Sequence, residues 1–160
     1  MITRRSIVAV VALVLALAFP VAASAQTDWI QVAYDPANFG VTSGSLVWTV
    51  EAADHATFKY RVVGTTMTVA VAVEGTSMTG TANSIYLKIK IPGGYHAAGS
   101  GMTDWVFQSS YIRDNGTKTT GFVFTGGGED WIGVSTPASG YWQLSANNSA
   151  VYFTFTFEVQ

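Results

Sequence analysis

Two runs of strict alternation between residues 60 and 95 constrain this chain more than any other feature. In the first, Met67, Val69, Val71 and Val73 point one way, while Thr68, Ala70 and Ala72 point the other. In the second, Ile85, Leu87, Ile89 and Ile91 share a face opposite Tyr86, Lys88 and Lys90. Successive side chains leave a pleated strand on opposite sides, so this period of two predicts strands with one face in a core. Residues 75–84, rich in Gly, Thr, Ser and Asn, read as a loop between them. Pro92-Gly93-Gly94 ends the second run, since proline brings no N–H to a ladder and glycine lets the chain turn.

The same alternation recurs along the chain. Strands are expected at 27–34, 46–51, 58–63, 66–74, 85–91, 105–112, 119–125 and 131–134, with a marginal one at 141–144. Gly64-Thr65 predicts a hairpin between the third and fourth of these. Asn115-Gly116 predicts another, because both central residues of a type I′ turn need positive φ. Loops are expected at 93–103, 126–130 and 136–140. The last strand is the clearest: Val151, Phe153, Phe155, Phe157 and Val159 alternate with Tyr152, Thr154, Thr156 and Glu158. That pattern predicts the three phenylalanines in the core. No apolar period of 3.6 is sustained beyond residue 25. Many short strands without helices predict an all-β protein, an antiparallel β-sandwich of jelly-roll type.

The first 25 residues read differently. Arg4 and Arg5, an apolar run over 7–19 and Ala23-Ser24-Ala25 have the order of a helical secretion signal cleaved after Ala25. The expected organisation is therefore a signal at 1–25 and one domain at 26–160, secreted or held at the cell surface. All ten acidic residues but only six of the eight basic ones lie beyond residue 25, a net charge of about −4. Nucleic acid and anionic membrane both require clustered Lys and Arg, so neither is expected as a partner. There is no cysteine, hence no disulfide, and stability has to come from burial and sheet hydrogen bonds.

Residues 60–94 then show a resemblance. Their form, Y-x-x-x-G-x-T-M-T-V-x-V-x-V-x-G-T-S, is followed by an alternating strand ending I-P-G-G, and the chain closes V-Y-F-T-F-T-F-E-V. This resembles the small β-sandwich modules at the C-termini of bacteriophage tail and minor structural proteins, over roughly residues 46–160. The resemblance implies a structural or receptor-contacting module, often a trimer in its phage setting. Phage tail proteins carry no secretion signal, so it implies an exported relative or a bacterial protein with a similar sandwich.

The chemistry expected is that of binding. Neither a G-x-S-x-G elbow nor an H-E-x-x-H motif occurs. Asp54-His55 are neighbours that point apart on a strand, and His96 reads as a solvated loop residue. Asp114-Asn115-Gly116 and Gly128-Glu129-Asp130 offer oxygen atoms of the kind calcium accepts, without a regular ligand spacing; turn chemistry accounts for both. No cofactor or metal is expected. Trp131, Tyr141 and Trp142, with Glu129 and Asp130 beside Gly126-Gly127-Gly128, are the candidate ligand-binding residues: an aromatic platform with a carboxylate rim at one end of the sandwich. The expected function is a non-enzymatic structural or adhesive module, the alternative a soluble carbohydrate-binding domain. Partners are then a surface glycan or the chain itself, since small residues at Thr68, Ala70 and Ala72 permit close approach of another subunit.

Overall fold

The computed structural model describes residues 28–160, apart from 43, 100 and 138–139. The expected secretion signal at 1–25 lies outside the described residues. Ten strands are described: β1 (Ile30–Gln31), β2 (Phe39–Val41), β3 (Leu46–Thr49), β4 (His55–Val63), β5 (Thr66–Gly80), β6 (Tyr86–Lys90), β7 (Gly101–Asp114), β8 (Thr117–Gly127), β9 (Trp131–Ser135) and β10 (Ser145–Glu158). Among the described residues there is no α-helix.

All pairings are antiparallel and belong to one sheet in the order β1-β4-β5-β10-β7-β8-β9-β6-β2, with β3 beside the far end of β5. The long strands β5 and β10 form its spine, paired from Val69 opposite Phe155 to Val73 opposite Val151. The sheet curls until its two ends meet: Phe39 of β2 packs edge-on to Trp48 of β3 at 5.5 Å and against Phe58 of β4 at 6.1 Å. The result is a half-barrel curled around a single core, where the sequence led us to expect two layers.

A bulge makes this curl possible. Glu74 lies opposite Ala150 and Thr76 opposite Ser149, so Gly75 is one residue too many for its partner strand. It sits at φ 72, the left-handed conformation that glycine adopts without penalty. The extra residue flips the alternation, so that Thr76 and Met78 return to the face already taken by Val71 and Val73. The Trp48 indole N–H donates to Thr76 Oγ1 at 3.0 Å, and that hydroxyl donates to the Ser149 carbonyl, which satisfies the buried polar atoms. The loop expected at 75–84 is therefore largely strand.

Other boundaries also move. β10 begins at Ser145 rather than 151, taking Asn147 at φ 51 as an irregularity, and 141–144 is not strand. The hairpin at Asn115-Gly116 forms as expected, with φ 43 and 83 and Asp114 opposite Thr117. β7 starts at Gly101 within the expected loop, and the 27–34 strand shrinks to Ile30–Gln31. Phe153, Phe155 and Phe157 are all buried, as the alternation predicts.

His55 closes the seam between the sheet ends. The rings of Tyr34, Phe39 and Phe58 surround its imidazole at 5.9–6.2 Å, and its Nε2 finds no partner among the described residues. Burial lowers its pKa from the ordinary histidine value. The unfolded chain therefore takes up this proton first. The stability contribution is complete above about pH 6.5 and is lost as the pH falls through that value towards the lower folded pKa. A Tm series between about pH 7.5 and 5.5 should decline, and His55→Phe should flatten the decline. An equal slope in both proteins would refute this reading. Glu158, whose carboxylate accepts hydrogen bonds from the Thr65 and Thr66 hydroxyls, has its pKa lowered by them; its contribution is present at neutral pH and is lost only as the pH falls through the more acidic carboxylate range.

Candidate functional site

The outer face of β6, β8 and β9 with the first half of β7 is aromatic. One register row crosses five strands there: Phe107 of β7, Phe124 of β8, Gly133 of β9, Lys88 of β6 and Gly40 of β2. Phe107 stacks on Phe124 with centroids 5.6 Å apart and planes 29° apart. Trp105 stacks on both, at 6.0 Å and 5.4 Å. Trp131 meets Trp105 and Phe124 edge-on at 6.3 Å and 5.9 Å, and Tyr86 meets Phe124 edge-on at 4.9 Å. Phe124 is only 3% exposed, yet it stands apart from the main core cluster; its neighbouring rings cover it from outside. Phe107 is 63% exposed.

Two glycines set the tilt of these rings. A Cβ on Gly133 would come within 3.0 Å of the far edge of the Phe124 ring, and one on Gly126 equally close to the Trp105 indole. Each ring therefore leans over the glycine of the next strand, like overlapping tiles. Past Trp131 the surface drops into a cleft of about 290 Å³ lined by Asn38, Gly40, Lys88, Lys90, Asp130 and Trp131. Lys88 Nζ lies 4.5 Å from the Trp131 ring centroid, a cation–π contact that fixes this indole at the boundary between rings and cleft.

The residues singled out from sequence separate into four places. Trp131 and Asp130 come together at the cleft, with Lys88 and Lys90 added. Glu129 is half-buried, and its backbone carbonyl accepts the Ala97 N–H. Tyr141 is exposed in a different cleft of about 410 Å³, beside Asp114 and Gln143 near the β7–β8 hairpin tip. Burial pushes the Asp114 carboxyl up, against the hydrogen bond it accepts from the Gln143 N–H. Trp142 is 0% exposed: its indole N–H donates to the Val134 carbonyl inside the core. It presents no ring face to a ligand and does not join Trp131 in one platform.

Sequence reasoning passed over Phe107, Phe124 and Tyr86 as members of a site. The signal was in β8, where Phe122, Val123 and Phe124 make both faces apolar. An antiparallel strand with one solvated face alternates apolar with polar instead. Trp105, Val106 and Phe107 repeat this in β7.

Among the described residues, no three His, Cys, Asp or Glu side chains gather to hold a metal. Asp54 uses its carboxylate to accept the Glu51 N–H, while His55 faces the rings of the core. What the face offers is stacking surface beside hydrogen-bonding groups. Fold and face together define an all-β protein with a curled antiparallel sheet and an aromatic outer surface. The chain matches no protein-family model, no curated protein and no solved structure.

Proposed function

We propose that this protein is an exported, non-enzymatic adhesive module that attaches to its partner through the aromatic outer face of β7, β8 and β9. One observation carries the reading: Phe107, 63% exposed, heads a stack of rings on a sheet face that water alone would not favour. An exposed ring backed by the half-buried Trp105, Trp131 and Tyr86 is the kind of apolar surface that marks an interaction site. The rigid sheet holds the rings in place, so little ordering entropy is lost on contact. The reading also draws on the resemblance of residues 60–94 to phage tail modules, which implies a receptor-contacting role. A receptor-contacting role on a cell surface fits both features.

The test is co-sedimentation of the purified protein with cells of its producing organism. The Trp105→Ala/Phe107→Ala double variant should stay in the supernatant while keeping a Tm close to that of the parent. Equal sedimentation of both proteins refutes the role of this face. Turnover on a panel of chromogenic esters and glycosides refutes the non-enzymatic reading.

A further inference from the structure

Resting on that reading, we infer that the partner of the aromatic face is a neutral, β-linked polysaccharide, bound as an extended chain from Phe107 across to the cleft beyond Trp131.

The tilt of the rings is the first reason. The glycines at 126 and 133 let Trp105 and Phe124 lie over the neighbouring strand instead of standing upright. Phe124, 3% exposed, is covered by this stack, so the surface offered to a partner is that of the exposed Phe107 and the half-buried Trp105 laid against it. A pyranose whose hydroxyls are all equatorial has two flat faces of C–H groups, and these stack on an aromatic face while the hydroxyls at the rim remain free to hydrogen-bond. β-linked glucans present that face on successive residues. An α-linked helix does not.

The second reason is the continuity of the strip with the cleft. Along the register row the surface steps down from the rings at Phe107 and Phe124 to Lys88 and then to Gly40, above which a Cβ would meet nothing within 4 Å. The cleft therefore opens at the level where a chain lying on the rings would arrive. Its polar groups are an amide at Asn38, ammonium groups at Lys88 and Lys90, and a carboxylate at Asp130. Together they both donate to and accept from hydroxyls. A protein partner of the usual size would instead call for a broad apolar core with a polar rim all round it. Here the apolar strip is narrow and runs out into polar ground at one end.

Charge is the third. Two cations and one carboxylate share the cleft, and Lys88 is already engaged on the Trp131 ring. Neither sign dominates enough to select a polyanion, so the chain recognised is uncharged.

Affinity electrophoresis of the purified full chain through native gels tests this, with hydroxyethyl cellulose, glycogen or alginate as the included polymer. Hydroxyethyl cellulose alone should retard the protein. Phe107→Ala and Trp105→Ala should each weaken that retardation about tenfold, as loss of a stacking anchor does. Gly133→Ala, which pushes the Phe124 ring upright while keeping every aromatic residue, should weaken it too, with Tm recorded alongside to confirm folding. Equal retardation by all three polymers, preference for alginate, or insensitivity to Phe107→Ala overturns the inference. No retardation by any polymer overturns it as well. If co-sedimentation with cells then still depends on Trp105 and Phe107, the adhesive face stands and only its glycan partner is wrong; if it does not, both readings fall.

Discussion

Phe155→Ala is expected to cost about 3–5 kcal/mol of stability, the usual range for deleting a buried phenylalanine. Folded domains hold only ~5–15 kcal/mol in total, so this variant sits at the edge of folding. The reason lies in its position. β10 runs between β5 and β7, and Phe155 pairs with Val69 in the middle of the long ladder. The ring is 0% exposed and packs on Phe157 at a centroid distance of 5.1 Å. Its removal leaves a cavity between long strands that are held by hydrogen bonds along their length and cannot collapse to fill it. For a chain of this length the Tm should fall by on the order of 10 °C or more. Thr156→Ala, on the exposed side of the same strand, should stay within about 0.5 kcal/mol. Thermal melts followed by circular dichroism decide it: a Phe155→Ala midpoint within a degree or two of the parent would mean that this side chain does not face the core.

The alternation that placed Phe155 correctly also explains where sequence reasoning stopped. Strict period-two patterning reports which residues share a face as long as the strand stays regular, and in 67–73 and 151–159 it does. It fails at a bulge, because one extra residue inverts the pattern. At Gly75 the inward set passes from Val73 to Thr76 and Met78, and the polar residues around them disguised a strand as a loop. The buried Thr76 is polar because it has a task, bridging the Trp48 indole and the Ser149 carbonyl, which no local pattern reveals.

The aromatic face was hidden for a different reason. Its members lie on four strands and meet only through register: Trp105 and Phe107 on β7, Phe124 on β8, Trp131 on β9, Tyr86 on β6. Pairing across strands is not contained in any one stretch of sequence. Trp131 was recognisable because it follows a glycine run, a local cue. The glycines that matter most for the rings, Gly126 and Gly133, act on side chains one strand away. Whether a chain forms two layers or one curled sheet is equally non-local, since it depends on Phe39 reaching Trp48 and Phe58 at the closing seam.

Tyr141 and Trp142 separate most sharply what composition suggests from what packing imposes. Both are aromatic and both follow the turn at Gly140, so both suit a loop-tip platform. In the structure they face opposite ways: Tyr141 is exposed and Trp142 is enclosed. Trp142 is held at two points, its backbone N–H donating to the Ser84 carbonyl at 3.1 Å and its indole N–H to the Val134 carbonyl at 3.3 Å. It thereby joins the approach to β10 to the β6–β9 wall, and its ring is the largest fully buried side chain described. Trp142→Ala should therefore cost about 3–5 kcal/mol, combining a large cavity with a carbonyl deprived of its donor. Tyr141→Ala should change stability by no more than about 0.5 kcal/mol. Trp142→Phe should fall between them, since it refills most of the space but cannot donate. Urea denaturation of the three variants separates these outcomes. If Trp142→Ala kept the parent's midpoint and instead lost binding to hydroxyethyl cellulose, the indole would be a ligand contact after all, and the wall that it fastens would have to be held by something else.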